Sequence, residues 1–240
     1  MKKPVSRITI GSLEEVMQPD ALKATLAEFI CTIAFVFPAE AAVLFFTKIN
    51  PSSSPTHIDN LAFALTHGFA LFAAIAVGLN ISGGHTNPAI TFGVFIGGYI
   101  TFVRSILYWI ARCLGAIVSM YLLKLASNGK TVYGWSPSSP FHAIIYEIIM
   151  VFMLVYAYYA TILDRKRGNL RAIGPIVIGL LCAMNPAMAL SVSWITWTWG
   201  DHWVYWLGTF VGAQLPDLVY QTIFIGEETY EYEQLPITKP

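Results

Sequence analysis

Two short stretches put polar chemistry inside apolar surroundings. "SGGHTNPAITFG" carries Asn87, Pro88 and Ala89, and "LLCAMNPAMALS" carries Asn185, Pro186 and Ala187, 98 positions later (185 minus 87). Proline suits the first position of a helix, where its missing N–H is not needed. Asparagine just before it is a good N-cap. Each tripeptide therefore reads as a helix start. A short helix begun inside a membrane must bury its exposed backbone in protein or face a water-filled cavity. Two such helices from opposite sides would meet N-terminus to N-terminus, each end carrying about half a positive charge. Their paired amides would donate hydrogen bonds to a passing water and turn its hydrogens outward, which interrupts a proton wire. Together with the two helix ends, they would repel cations. This is chemistry of selective passage. The chain has no nucleotide loop, metal-ligand cluster or nucleophile–base arrangement, so no enzyme, cofactor, metal or nucleic-acid partner is expected.

The elements that must position these residues are membrane spans. Of 240 residues, 56% are hydrophobic and 12% charged, against roughly 25% charged in soluble domains; mean hydropathy is +0.60. Crossing ~30 Å of hydrocarbon takes about 20 apolar residues. Candidate spans are 22–46, 59–82, 102–126, 142–163, 172–199 and 203–225, the fifth interrupted by its own Asn-Pro-Ala. The fold class is an all-α membrane protein. Ten cations (Lys2, Lys3, Arg7, Lys23, Arg104, Arg165, Lys166, Arg167, Arg171 and Lys239) fall on one side of a six-span arrangement. Lys48, Lys124 and Lys130 fall on the other. The positive-inside rule then places both termini in the cytosol. Residues 1–20 form a polar N-terminal tail without a signal-peptide pattern. The span domain covers 21–226, and 227–240 reads as an acidic cytosolic C-terminal tail that is expected to be disordered. Cys31, Cys113 and Cys182 lie in apolar stretches and read as small buried hydrophobes, not a disulfide framework.

The chain is also doubled. "LAEFICTIAFVF" carries Glu28 ahead of the first tripeptide, and "IYEIIMVFMLVY" carries Glu147 ahead of the second. Three spans per copy is an odd number, so the copies are inverted in the bilayer. Glu28 and Glu147 cannot stay buried without partners. Gly93 with Gly97, and Gly208 with Gly212, have the spacing that lets helices approach closely. His67 is ionisable within a span, which marks a functional candidate. His85 adjoins the first tripeptide and offers either pore-lining backbone or a direct side-chain role.

These stretches, with "ALKATLAEFICTIAFVF", "LTHGFALFAAIAVGLNISGGHTNPAITFG", "YWIARCLGAI" and "HWVYWLG", resemble the aquaporins of the major intrinsic protein family, within it the plant tonoplast intrinsic proteins and their seed-vacuole group. The likeness covers about residues 18–225. It implies an aquaporin-like inverted repeat of three spans plus a re-entrant half-helix. It also implies one pore per protomer and a homotetramer, or a hetero-tetramer with related channels, in the vacuolar membrane. The expected cargo is water and small neutral solutes: glycerol, ammonia, urea. By this resemblance Asn87 and Asn185 form the constriction, His67 lines the outer filter, and Glu28 and Glu147 brace the loops. Met188 stands where most of the family has an arginine, and Cys182 takes a filter place by spacing, three before Asn185.

The chain departs from the pattern in its second half. Glu28 to Asn87 spans 59 positions and Glu147 to Asn185 only 38, a shortfall of 21. The 13 residues from Ala172 to Met184 would make about 20 Å of helix at 1.5 Å each, too little to cross and return. Arg112 replaces a glutamine at membrane depth, where a lone cation costs about 2.5–3.5 kcal/mol. Pro216 and Asp217 are expected to interrupt the last span, and Pro38 falls inside the first. A non-conducting relative with a truncated fifth span is the alternative expectation.

Overall fold

A computed structural model describes residues 8–49, 57–132, 139–164, 170–181, 183–220 and 223. Cys182, the C-terminal tail, and most of the loops around 50–56, 133–138 and 165–169 lie outside them. Every regular element among the described residues is helical. After a short 3-10 turn (Leu13–Met17) come α1 (Pro19–Ile49), α2 (His57–Gly78), α3 (Pro88–Ile96) and α4 (Phe102–Ala126). The second half gives α5 (Pro140–Tyr158, extended by a π turn over Tyr159–Leu163), α6 (Gly174–Leu180), α7 (Pro186–Thr196) and α8 (His202–Val219). Four helices are long and apolar enough to cross a membrane: α1, α2, α4, and α5 with its π turn. α8 adds 18 residues, about 27 Å of helix.

Two expectations about the spans are corrected, and the interruption of the fifth is found. The fifth span, 172–199, is interrupted at its Asn-Pro-Ala: α6 stops at Leu180, residues 183–185 are non-helical, and α7 restarts at Pro186. α6 and α7 are thus the two pieces of a single broken crossing. The same number of crossings is kept, although the chain is too short for a full fifth helix and a returning loop. Pro216 and Asp217 do not interrupt the last span: α8 runs through them, as α1 runs through Pro38. A proline costs one i→i−4 hydrogen bond, which flanking turns and neighbouring helices can absorb in a membrane. Finally, α2 ends at Gly78, and 79–82 form a turn.

Small residues set the packing. α1 lies along α4, α5 along α8, and α2 against both α1 and α6. A Cβ on Gly115 would sit 2.7 Å from the Phe29 carbonyl, and one on Gly212 would sit 2.6 Å from the Ile148 carbonyl. These two contacts are counterparts in the inverted repeat. They align "YWIARCLGA" from Tyr108 with "YWLGTFVGA" from Tyr205, an offset of 97 (205 minus 108). In that alignment Arg112 matches Thr209.

The close approach yields a prediction. Gly212→Val should abolish the folded fraction of detergent-extracted protein in size-exclusion profiles. Gly200→Ala should be silent, because nothing lies within 4 Å of a Cβ there.

Candidate functional site

The two tripeptides meet. Asn87 is the N-cap of α3, and its Oδ1 accepts from the Ala89 N–H at 2.9 Å. Asn185 caps α7 in the same way, accepting from the Ala187 N–H at 3.1 Å. Each carboxamide also reaches across. Asn87 Nδ2 donates to the Met184 carbonyl at 3.2 Å, and Asn185 Nδ2 donates to the Thr86 carbonyl at 2.8 Å. A side-chain amide has two N–H donors, so each asparagine keeps one after the crossing. Pro88, Ala89, Pro186 and Ala187 are buried beside them. Two helix N-termini, with their partial positive charge, therefore converge on one point.

Holding the first loop there takes unusual backbone. Gly83, Gly84 and Thr86 have φ of +93°, +64° and +52°. Thr86 is the exception among them, since a side chain at positive φ is disfavoured. Glu28 of α1 holds this turn. Its Oε1 accepts from Ser82 Oγ at 2.6 Å and from the His85 N–H at 2.9 Å. Its Oε2 accepts from the Thr86 N–H at 2.9 Å and from Arg112 Nε at 2.7 Å. All four groups present hydrogens, so the arrangement suits a carboxylate and not its acid. Arg112 of α4 is the counter-ion, both side chains being fully buried. The sequence marked Arg112 as an unfavourable charge at membrane depth; paired with Glu28, it is part of the support for the loop.

Other supports were not legible beforehand. Tyr108 Oη donates to the Ser82 carbonyl at 3.1 Å and Tyr158 Oη to the Gly83 carbonyl at 2.8 Å. Trp109 Nε1 donates to the Pro88 carbonyl at 3.1 Å, and Tyr159 Oη to the Gly93 carbonyl at 2.8 Å. The repeated Tyr-Trp pairs at 108–109 and 205–206 were the available signal for the first and third. His85 is buried between the edges of Tyr108 and Tyr158, with Nδ1 2.8 Å from Thr91 Oγ1.

The second half is braced more lightly. Buried Glu147 faces the Met184 backbone N–H, while its Oε2 finds no partner among the described residues. Thr209, standing where Arg112 stands in the first half, turns its hydroxyl back to the Tyr205 carbonyl at 2.5 Å. Arg171 offsets some of this: its guanidinium donates to the Leu79 carbonyl at 2.9 Å, tying the start of α6 to the end of α2.

The remaining candidates lie outside this cluster. His67 in α2 places Nδ1 3.0 Å from the Phe63 carbonyl and meets Phe35 edge to face, ring centres 6.4 Å apart. Met188 follows Ala187 on α7 and packs, partly buried, against the apolar core. Cys182 lies outside the described residues.

Comparisons with known proteins agree with this fold. The family model described as "Major intrinsic protein" matches residues 15–220. The chain is 46% identical to aquaporin TIP1-2 of Musa acuminata over 249 aligned positions, covering 97% of this chain and 98% of that one. It is 44% identical to aquaporin TIP1-1 of Arabidopsis thaliana, covering 98% and 99%. Aligning 249 positions with 97% of 240 residues (about 233) leaves at least about 16 positions without a counterpart in this chain. An aquaglyceroporin structure from Plasmodium falciparum superposes with a TM-score of 0.71 at 22% identity, over 85% of this chain and 96% of the other.

Proposed function

The chain belongs to the major intrinsic protein family, whose members are channels and not enzymes, and from that premise we propose that it passes water and small neutral solutes through a constriction built by Asn87 and Asn185. The observation that carries this reading is the pair of crossed bonds, Asn87 to Met184 and Asn185 to Thr86. They hold two capped helix ends together and leave one amide donor on each asparagine for passing water. The same bonds count against a non-conducting relative, because the broken fifth crossing still delivers Asn185. The resemblance to tonoplast intrinsic proteins supports a vacuolar membrane, cytosolic termini and a homo- or hetero-tetramer. Stopped-flow light scattering of vesicles holding the purified chain tests the reading. Shrinkage several times faster than that of empty vesicles is expected; equal rates would refute it.

We assign His67 and Met188 to the outer filter. An apolar, neutral methionine in place of a fixed cation widens the solute range to glycerol, ammonia and urea. Met188→Arg should cut glycerol and ammonia flux about tenfold, which is 1.4 kcal/mol of barrier, and leave water flux largely intact. Vesicle swelling with each solute reads this out. A wild-type channel passing water alone would remove the assignment.

A further inference from the structure

The charges around the crossed asparagines do not balance without Arg112. Two helix ends converge there, those of α3 and α7, each carrying about half a positive charge. Behind them stand two glutamates, one from each half of the chain. Glu28 accepts from the backbone N–H groups of His85 and Thr86, and the Thr86 carbonyl is itself the acceptor for Asn185. Its carboxyl group therefore grips the residue next to Asn87. Glu147 faces the Met184 N–H, next to Asn185. As carboxylates, the two glutamates would set two negative charges against the one positive charge of the paired helix ends. Such a constriction would draw cations in.

Arg112 alters this. Its Nε lies 2.7 Å from Glu28 Oε2, and both side chains are fully buried. Together the two residues carry no net charge. Nη1 and Nη2 of Arg112 have no acceptor among the described residues, so no further anion there cancels the guanidinium. The geometry also keeps His85 neutral: an imidazolium between the Tyr108 and Tyr158 rings would leave a buried Nε2–H without an acceptor. The other nearby cations are engaged elsewhere, Arg104 with Glu15 and Arg171 with the Leu79 carbonyl. The second half has no counterpart, because Thr209 stands where Arg112 stands, and Met188 beside the second tripeptide is uncharged. Whatever the protonation of Glu147, Arg112 moves the balance by one whole positive charge. We propose that Arg112 determines specificity: by cancelling the charge of Glu28 it leaves the two helix ends free to exclude protons and other cations. It does so without lining the path, since none of its surface is exposed. The inference rests on the channel reading and names the residue that sets what the pore refuses.

The full-length chain, reconstituted in vesicles with an entrapped pH dye, tests it, with proton and water flux read from the same preparation. Arg112→Gln should raise the proton-to-water flux ratio about tenfold, which is 1.4 kcal/mol of barrier. That is the scale of a unit charge ~10 Å away at an effective dielectric constant of ~20. Arg112→Lys keeps the charge and should stay near the wild-type ratio. Glu28→Gln with Arg112→Gln removes both charges and should return to it. An unchanged ratio for Arg112→Gln would overturn the proposal, as would a double variant as leaky as Arg112→Gln. Arg112→Met, which also drops the charge, replaces Arg112→Gln if that variant does not fold. If neither folds, the residue serves stability alone and the proposal falls. Absence of water flux in the wild-type chain would overturn the channel reading and this inference with it.

Discussion

Glu28→Gln, with Arg112 left in place, should destabilise the protein by about 3–5 kcal/mol, the usual cost of breaking a buried pair from one side. The reason lies in the geometry. Both side chains are fully buried and 2.7 Å apart, and the Nη1 and Nη2 groups of Arg112 have no acceptor among the described residues. Glu28 is therefore the anion that justifies a guanidinium at membrane depth. A glutamine would also aim an N–H donor at groups that are themselves donors, either Thr86 N–H and Arg112 or Ser82 Oγ and the His85 N–H. Removing both charges is a different matter, because replacing a buried ion pair as a unit is often close to neutral. Glu28→Gln with Arg112→Gln should thus recover most of the lost stability, and Arg112→Gln alone should cost less than Glu28→Gln, since Glu28 keeps three donors. Thermal unfolding in detergent, followed by size-exclusion yield, measures all three variants. A double variant no better than Glu28→Gln would show that the carboxylate acts through the loop alone and that Arg112 is not its counter-ion.

That pair marks where sequence reasoning ran short. Helix starts at Asn87 and Asn185 were legible because capping and the proline N1 preference are local, fixed within three residues. The doubling was legible because Glu28 and Glu147 recur in similar apolar runs. Arg112 and Glu28, by contrast, are 84 positions apart (112 minus 28), and nothing in either neighbourhood announces the other. Read alone, a span arginine is a cost; only the parallel packing of α1 on α4 turns it into a partner. Pro216 failed for a related reason. Proline signals a break in water, yet in α8 the helix continues through it, buried, with Asp217 beside it. The shortened fifth crossing was visible as a count, but its outcome was not. Length alone could not distinguish one continuous span from two pieces; Gly68 against Gly179, and Arg171 against Leu79, fix where α6 must stop.

Asn185→Ala should be the most damaging single change at the constriction. The side chain makes two bonds that alanine cannot. Losing the cap on the Ala187 N–H costs about 0.5–2 kcal/mol. Losing the bond to Thr86 strands a buried carbonyl, at about 1–3 kcal/mol, and that carbonyl belongs to a residue already held at φ +52°. Asn87→Ala loses an equivalent pair of bonds, but its loop keeps Glu28, Tyr108 and Tyr158. Among the described residues, the loop before Asn185 has the Asn87 bond to the Met184 carbonyl and buried Glu147 beside it, fewer ties than the first loop, so the broken crossing is freer to draw away. Asn185→Ala should therefore lose most water flux, whereas Asn87→Ala retains a measurable fraction. Stopped-flow rates, normalised to the amount of protein in the vesicles, compare the two. Equal losses would mean that the two halves are braced equally, contrary to the fewer ties before Asn185. A greater loss for Asn87→Ala would place the weak point in the first half instead.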